Sequence, residues 1–313
     1  MVEEDVNVEH LLDVFTTIDP GEGYIWDACY DFLEHLRWHK PRLTTLTPKI
    51  EALSDHHPSK PRCLRQLSLL LSQVGNYTEQ KRLLIHALEL VRRAGDDTQV
   101  AFTLRQLSDV NRNLGHFKEG IQQAREALEI SKRIGDTNWQ IQCSEDLTWL
   151  LFDDKQLDAA EEVASRAIDL ALEKGDELFA CRLHRVLGKI FQSKGEKTRA
   201  IHHLETATGI ASPFNWHDVL FWIHFALASL FRDEGEFGDA NTHIEQAKSH
   251  TVNDAYKLGR ASQMQADIWR RQLRFEEARS EALHALEIYE KLGAARDARV
   301  CKEFLREVGW ETK

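Results

Sequence analysis

The chain has 313 residues, of which 42% are hydrophobic and 29% charged. That is enough apolar content to bury a core and too much for a disordered tail. Its 51 acidic and 40 basic side chains leave a net charge of −11, which aids solubility and works against general binding to nucleic acid or acidic membranes. Five of the six prolines fall in the first 61 residues and only Pro213 follows. The later chain therefore reads as helix nearly throughout, which argues against a doubly wound enzyme, a β-sandwich or a barrel.

The chain opens MVEEDVNVEH. It is acidic, without the basic start of a signal peptide, so a cytoplasmic location is expected. Residues 1–23, with EHLLDVFTTI inside them, read as an N-terminal cap. From there to residue 291 one pattern repeats. Gly75, Gly115, Gly195 and Gly235 stand on a 40-residue grid, with Lys155 at the missing point. A shorter first unit turns near Lys40, with Ala52 twelve residues on, and a last unit turns near Leu273. About seven helix pairs are expected. Residues 292–313 read as a C-terminal capping helix.

Eight residues before each grid point comes leucine (Leu67, Leu107, Leu147, Leu187, Leu227), and a second apolar residue follows three later. That spacing makes a single stripe on a helix. Seven before the grid point the residue is small (Ser68, Ser108, Thr148, Gly188, Ala228, Ala266), and twelve after it stands alanine (Ala87, Ala127, Ala167, Ala207, Ala247, Ala285). Small side chains at those places let two helix backbones approach closely. Gly-Asp at 95–96, 135–136 and 175–176 joins a helix stop to an N-cap donor.

In this small/large signature the chain resembles tetratricopeptide repeats of the long, 40-residue kind found in regulatory arrays. The resemblance implies an all-α fold, an α-solenoid wound as a right-handed superhelix, with first helices on the concave side and second helices on the convex side. Segments such as HLRWHKPRLTTLTPKIEAL and PFNWHDVLFWIHFALASLF are similar to the C-terminal sensor arrays of fungal NACHT or NB-ARC signal-transducing NTPases. The chain departs from those proteins in having no GxxxxGK[ST], so it carries no P-loop.

The first-helix positions that point away from the core stripe lie 13, 10, 6 and 3 residues before each grid point. In the six later units these 24 positions hold ten basic residues: Arg62, Arg65, Arg105, Arg112, Arg182, Arg185, Lys189, Arg232, Arg260 and Arg270. Three are acidic (Asp109, Glu145, Asp267), and five are aromatic: Phe102, Trp149, Phe152, Trp222 and Phe225. Guanidinium forks grip carboxylates or phosphates, and aromatics give apolar anchors. The pattern points to a partner groove for a protein or an acidic peptide. The competing reading is a solvated face, with arginine stems packed over aromatics and paired to nearby carboxylates.

The other candidates carry less. His35 and His39 are one helical turn apart but lack a third metal ligand. His184 and His224 share one row and read as packed helix–helix contacts. Five widely spaced cysteines form neither a disulfide framework nor a zinc knuckle and read as buried thiols. There is no GxSxG and no glycine-rich phosphate loop. No catalytic residue, metal or cofactor is expected. A receptor for a small signalling peptide or a phosphorylated metabolite stands as the alternative function. Single-strand nucleic-acid binding suits the basic-aromatic mix but not the overall acidity.

Overall fold

A computed structural model describes Pro48 and residues 50–309, apart from 58, 74 and 253. The N-terminal cap, the turn near Lys40 and the pair His35 and His39 lie outside the described residues. Among those residues the chain forms thirteen α-helices and no strand. They are α1 (Lys60–Gln73), α2 (Tyr77–Ala94), α3 (Asp97–Asn113), α4 (Phe117–Ile134), α5 (Thr137–Asp153), α6 (Leu157–Lys174), α7 (Glu177–Lys194), α8 (Lys197–Ala211), α9 (His217–Asp233), α10 (Phe237–Ser249), α11 (Ala255–Arg271), α12 (Phe275–Lys291) and α13 (Ala295–Glu307). A 3₁₀ turn, Ser212–Phe214, follows α8. The fold is an all-α repeat solenoid. It divides into two compact units, Met1–Asp136 and Thr137–Lys313.

Each helix pair is built as its sequence requires. The stripe leucines of the first helices, Leu67, Leu107, Leu147, Leu187 and Leu227, are all buried, each contributing about 2 kcal/mol by leaving water. The small positions sit where the second helix crosses. A Cβ added at Gly188 would lie 2.5 Å from Leu204 Cγ. The alanines of the second helices, Ala87 to Ala285 in register, are likewise buried. Ala52 departs from the row: it is exposed in a turn, and Ile50 is buried instead.

The turns inside the pairs share one geometry. At Gly115 the amide donates to Arg112 O and that of His116 to Asn111 O, and the backbone is left-handed with φ of 75°. Lys155 and Leu273 stand where the grid lacks glycine. They take the same left-handed conformation, with φ of 64° and 63°, and close the same pair of hydrogen bonds. Between pairs, the carboxylates of Asp96 and Asp176 accept from the amides of Gln99 and Phe179 and so cap α3 and α7.

In the second unit α13 lays Ala298, Cys301 and Leu305 against a core made with Ala282, Ala285, Leu286 and Tyr289 of α12. Cys63, Cys143, Cys181 and Cys301 are buried and unbonded. Burial pushes Cys63 and Cys301 up to about 11 and Cys181 to about 12, which makes them poor nucleophiles at neutral pH. Cys29 lies outside the described residues. No helix among the described residues is long and apolar enough to cross a membrane.

Candidate functional site: the basic-aromatic face of the first helices

All 24 positions of the first-helix face are described. Arg65 and Glu145 are buried, Asp109 is exposed, and every other position is half-buried. A face looking straight into solvent would leave long arginines far more open.

In the unit Met1–Asp136 the face is carried by α1 and α3. Arg62, Arg105 and Arg112 are half-buried. Arg65 is 6% exposed. Its guanidinium lies 5.2 Å from the ring centre of Phe102, and Nη2 donates to Gln99 Oε1. Its Nε and Nη1 are buried and have no hydrogen-bond partner. Burial, aided by the like charge of Arg62, pulls its pKa down to about 10. Arg65 is still a cation at neutral pH, in a place where a cation needs acceptors.

In the unit Thr137–Lys313 the face runs along α5, α7, α9 and α11, which touch in that order. Trp149 and Phe152 meet edge to face, with ring centres 5.9 Å apart. Arg185 lies 5.2 Å from the Trp149 ring centre, and Lys189 lies 5.9 Å from the centres of both Trp149 and Phe152. Arg182 binds Glu145 through two contacts of 2.9 Å, Nε to Oε1 and Nη2 to Oε2. Burial still holds the Glu145 carboxyl above its usual range. Burial likewise draws the Arg185 guanidinium down to about 10.

Further along, Trp222 and Phe225 meet edge to face at 5.8 Å. Arg260 lies 5.5 Å from the Phe225 ring centre, 3.9 Å from Asp297, and its buried Nε has no hydrogen-bond partner. Arg232 and Arg270 share Asp267, at 3.2 and 2.7 Å. Hydrogen bonds and ion pairs from Arg270, Arg232 and Arg271 hold the Asp267 carboxyl down, against the effect of its burial.

The two readings of the face are thus both realised, in different places. Arg182, Arg232 and Arg270 spend their charge on Glu145 and Asp267, two of the three acidic residues of the face. Arg185, Lys189 and Arg260 stack on aromatics one repeat away. Stacking uses the flat side of a guanidinium and leaves its in-plane N–H groups for an acceptor. Sequence reasoning missed Lys155, whose ammonium lies 5.6 Å from the Phe152 ring centre. It also missed Phe304, 5.5 Å from the Arg270 guanidinium. Lys155 sits at a grid point three residues after Phe152, so its signal was there; Phe304 lies outside the repeat grid.

Elsewhere, a cavity of about 340 Å³ is lined by Arg92, Asp97, Glu126 and Arg133. Those charges pair with one another, Arg92 with Glu126 at 2.6 Å and Arg133 with Asp97 at 2.7 Å. Among the described residues no three His, Cys, Asp or Glu side chains converge to hold a metal ion.

The family model for the tetratricopeptide repeat matches residues 62–133. Residues 62–133 are tetratricopeptide repeats, and the described helix pairs share their fold. No curated protein matches the chain in sequence. Among solved structures, a Rap protein complexed with competence and sporulation factor is similar at 16% identity and a TM-score of 0.63, over 97% of this chain and 91% of that one. Aspartyl phosphate phosphatase F from Bacillus subtilis is similar at 13% identity and a TM-score of 0.60, over 98% and 90%. A signal transduction ATPase with numerous domains and a tetratricopeptide repeat sensor, from Pyrococcus horikoshii, is similar at 14% identity and a TM-score of 0.57. That alignment covers 98% of this chain and 53% of the ATPase. At these identities the likeness is one of fold. The tetratricopeptide fold is in general a scaffold for protein interaction rather than a catalytic one.

Proposed function

We propose that the chain is a non-catalytic interaction module whose first-helix face binds a protein or an acidic peptide. The observation that carries this reading is the stack of Arg185 and Lys189 on Trp149. It sets cationic donors beside an apolar anchor, the pairing that protein hot spots use. A ligand lying across several repeats would hold their relative angles and select one curvature from those the array samples. The likeness to an ATPase with a repeat sensor supports a place in cytoplasmic signalling, as the ligand-sensing arm of a NACHT or NB-ARC type protein of fungal kind.

A small signalling peptide is the second reading, favoured by the Rap protein solved with such a factor. A phosphorylated metabolite would use the same guanidinium forks.

A fluorescein-labelled synthetic peptide of about 20 residues, made of Glu, Leu and Trp, tests the face. Arg105→Glu and Arg185→Glu should each weaken its binding at least tenfold, while Arg92→Glu, on a second helix, should not. Unaltered binding in both face variants would sink the assignment. Stabilisation by inorganic phosphate or a phosphorylated metabolite, but by no peptide, would favour the small-ligand reading.

A further inference from the structure

The negative charge of the chain is concentrated at one end. The first 36 residues hold ten of the 51 carboxylates and none of the 40 Lys and Arg, so residues 37–313 are almost neutral at −1. Within residues 1–23 alone there are seven: Glu3, Glu4, Asp5, Glu9, Asp13, Asp19 and Glu22. Leu11, Leu12, Phe15 and Ile18 are interleaved with them. An acidic run with apolar anchors is the ligand that a basic-aromatic face would select. At the average frequency of the chain about three cations would fall in 23 residues, and a cap has no need to lack them all.

The same unit holds a cation that lacks acceptors. Arg65 is 6% exposed, yet its Nε and Nη1 meet no hydrogen-bond acceptor. Leaving donors of a buried charge unsatisfied is costly, and the group that fits the fork is a carboxylate. Arg62, Arg105 and Arg112 share the α1 and α3 face with it. Residues 24–47 join the segment to the first described positions. They would span about 80 Å if extended and about 36 Å if wholly helical. Either length crosses two helices packed about 10 Å apart.

We infer that residues 1–23 are an internal ligand of the basic face on α1 and α3, which an external acidic ligand must displace. The inference rests on the reading of that face as an acid-binding surface. Tethering gives the segment an effective concentration in the millimolar range, so a weak charge-driven contact suffices to hold it. The contact weakens as salt shortens the Debye length below about 10 Å. The face is thereby kept closed to acidic partners that are either dilute or weak.

Hydrogen exchange on the full chain tests this. Amides of residues 1–23 should exchange at least tenfold more slowly than in the same synthetic peptide free in solution. Protection should vanish in the variant with Glu3→Gln, Glu4→Gln, Asp5→Asn, Glu9→Gln and Asp13→Asn, and in Arg62→Glu/Arg105→Glu. It should persist in Arg260→Glu/Arg270→Glu, whose changes lie in the other unit. A labelled 1–23 peptide added in trans should bind the carboxylate-neutralised chain at least tenfold more tightly than the wild type. Free-peptide exchange in the wild type overturns the inference, as does protection that none of the charge changes reduces. The Glu, Leu and Trp peptide separates the two ideas. If it binds wild-type and neutralised chains equally, the face takes ligands but the segment does not occupy it. If it binds neither, while the segment is protected and released as described, the internal ligand stands and the external one falls.

Discussion

The guanidinium of Arg185 rests 5.2 Å from the ring centre of Trp149, 36 residues earlier in the chain. The two side chains belong to the first helices of successive pairs, α7 and α5, so the stack is both a ligand-facing feature and a joint between repeats. A partly desolvated cation–π contact is worth about 1–2 kcal/mol. In a double-mutant cycle with Arg185→Met and Trp149→Leu, followed by urea unfolding, a coupling of about 1 kcal/mol is expected. Additivity within about 0.3 kcal/mol would mean that the stack carries no stability and that its role is confined to ligands.

Glu145 has a second, distinguishable job. It is buried and takes both of its close contacts from Arg182. Glu145→Leu removes the buried carboxylate and leaves Arg182, which is 39% exposed in its side chain, able to turn to water. We expect a stability change within about 1 kcal/mol together with tighter binding of the acidic probe peptide, because one more fork becomes available. Urea unfolding and fluorescence titration read the two effects separately. Weaker binding would show that Glu145 positions Arg182 for the ligand instead of competing for it.

Lys155 and Leu273 hold left-handed backbone that L-residues adopt at a cost of about 1 kcal/mol. Leu273 is 74% exposed, so its side chain returns little. Lys155→Gly and Leu273→Gly should each raise stability by about 0.5–1 kcal/mol, readable as a shift in the urea midpoint at constant slope. Gly188 sits under the opposite constraint. A Cβ there would meet Leu204 Cγ at 2.5 Å and the Ala200 carbonyl oxygen at 3.3 Å. The leucine can turn away but the carbonyl is backbone, so Gly188→Val should cost about 1–3 kcal/mol despite removing a helix glycine. A neutral Gly188→Val would mean that the α7–α8 crossing is looser than its buried leucines require.

These particulars show what was legible in the chain. Every feature that recurs with the grid could be read: the leucine stripe, the small residue that admits the second helix, the alanine row, and the turn that Lys155 and Leu273 make without glycine. Repetition supplies many independent readings of one rule, so single departures do not hide it. The membership of the face was legible for the same reason, since four offsets per repeat define it. What each cation does was not. Whether an arginine pairs with Glu145, stacks on Trp149 or, like Arg65, lacks acceptors depends on rotamers set by the neighbouring repeat about 36–40 residues away, and no local spacing encodes that. The row of His184 and His224 was legible as packing, but its partners His203 and His243 were not.

Those histidines set the acid limit of the fold. His184 Nδ1 lies 2.9 Å from His203 Nδ1, and His224 Nδ1 lies 3.3 Å from His243 Nδ1. Each short contact needs one ring to donate and the other to accept, so it is made by neutral imidazoles. Phe191 stacks on His203 and Phe231 on His243, while Arg199 and His202 add positive charge near the first pair and His250 near the second. Burial, with those like charges, pulls His203 and His224 down to about 4 and lowers His184, His243 and His250 as well. The unfolded chain, with histidines near 6.5, binds more protons than the folded one between pH 6.5 and about 4. Stability is therefore complete above pH 6.5 and falls as the pH drops through that window, by at most about 1.4 kcal/mol per pH unit for each such histidine. Thermal unfolding at pH 7.5, 6.0, 5.0 and 4.5 should show the decline. In His203→Gln/His224→Gln the slope should be visibly shallower, even if stability at pH 7.5 is lower. An identical slope in that variant would place the acid sensitivity in the carboxylates instead.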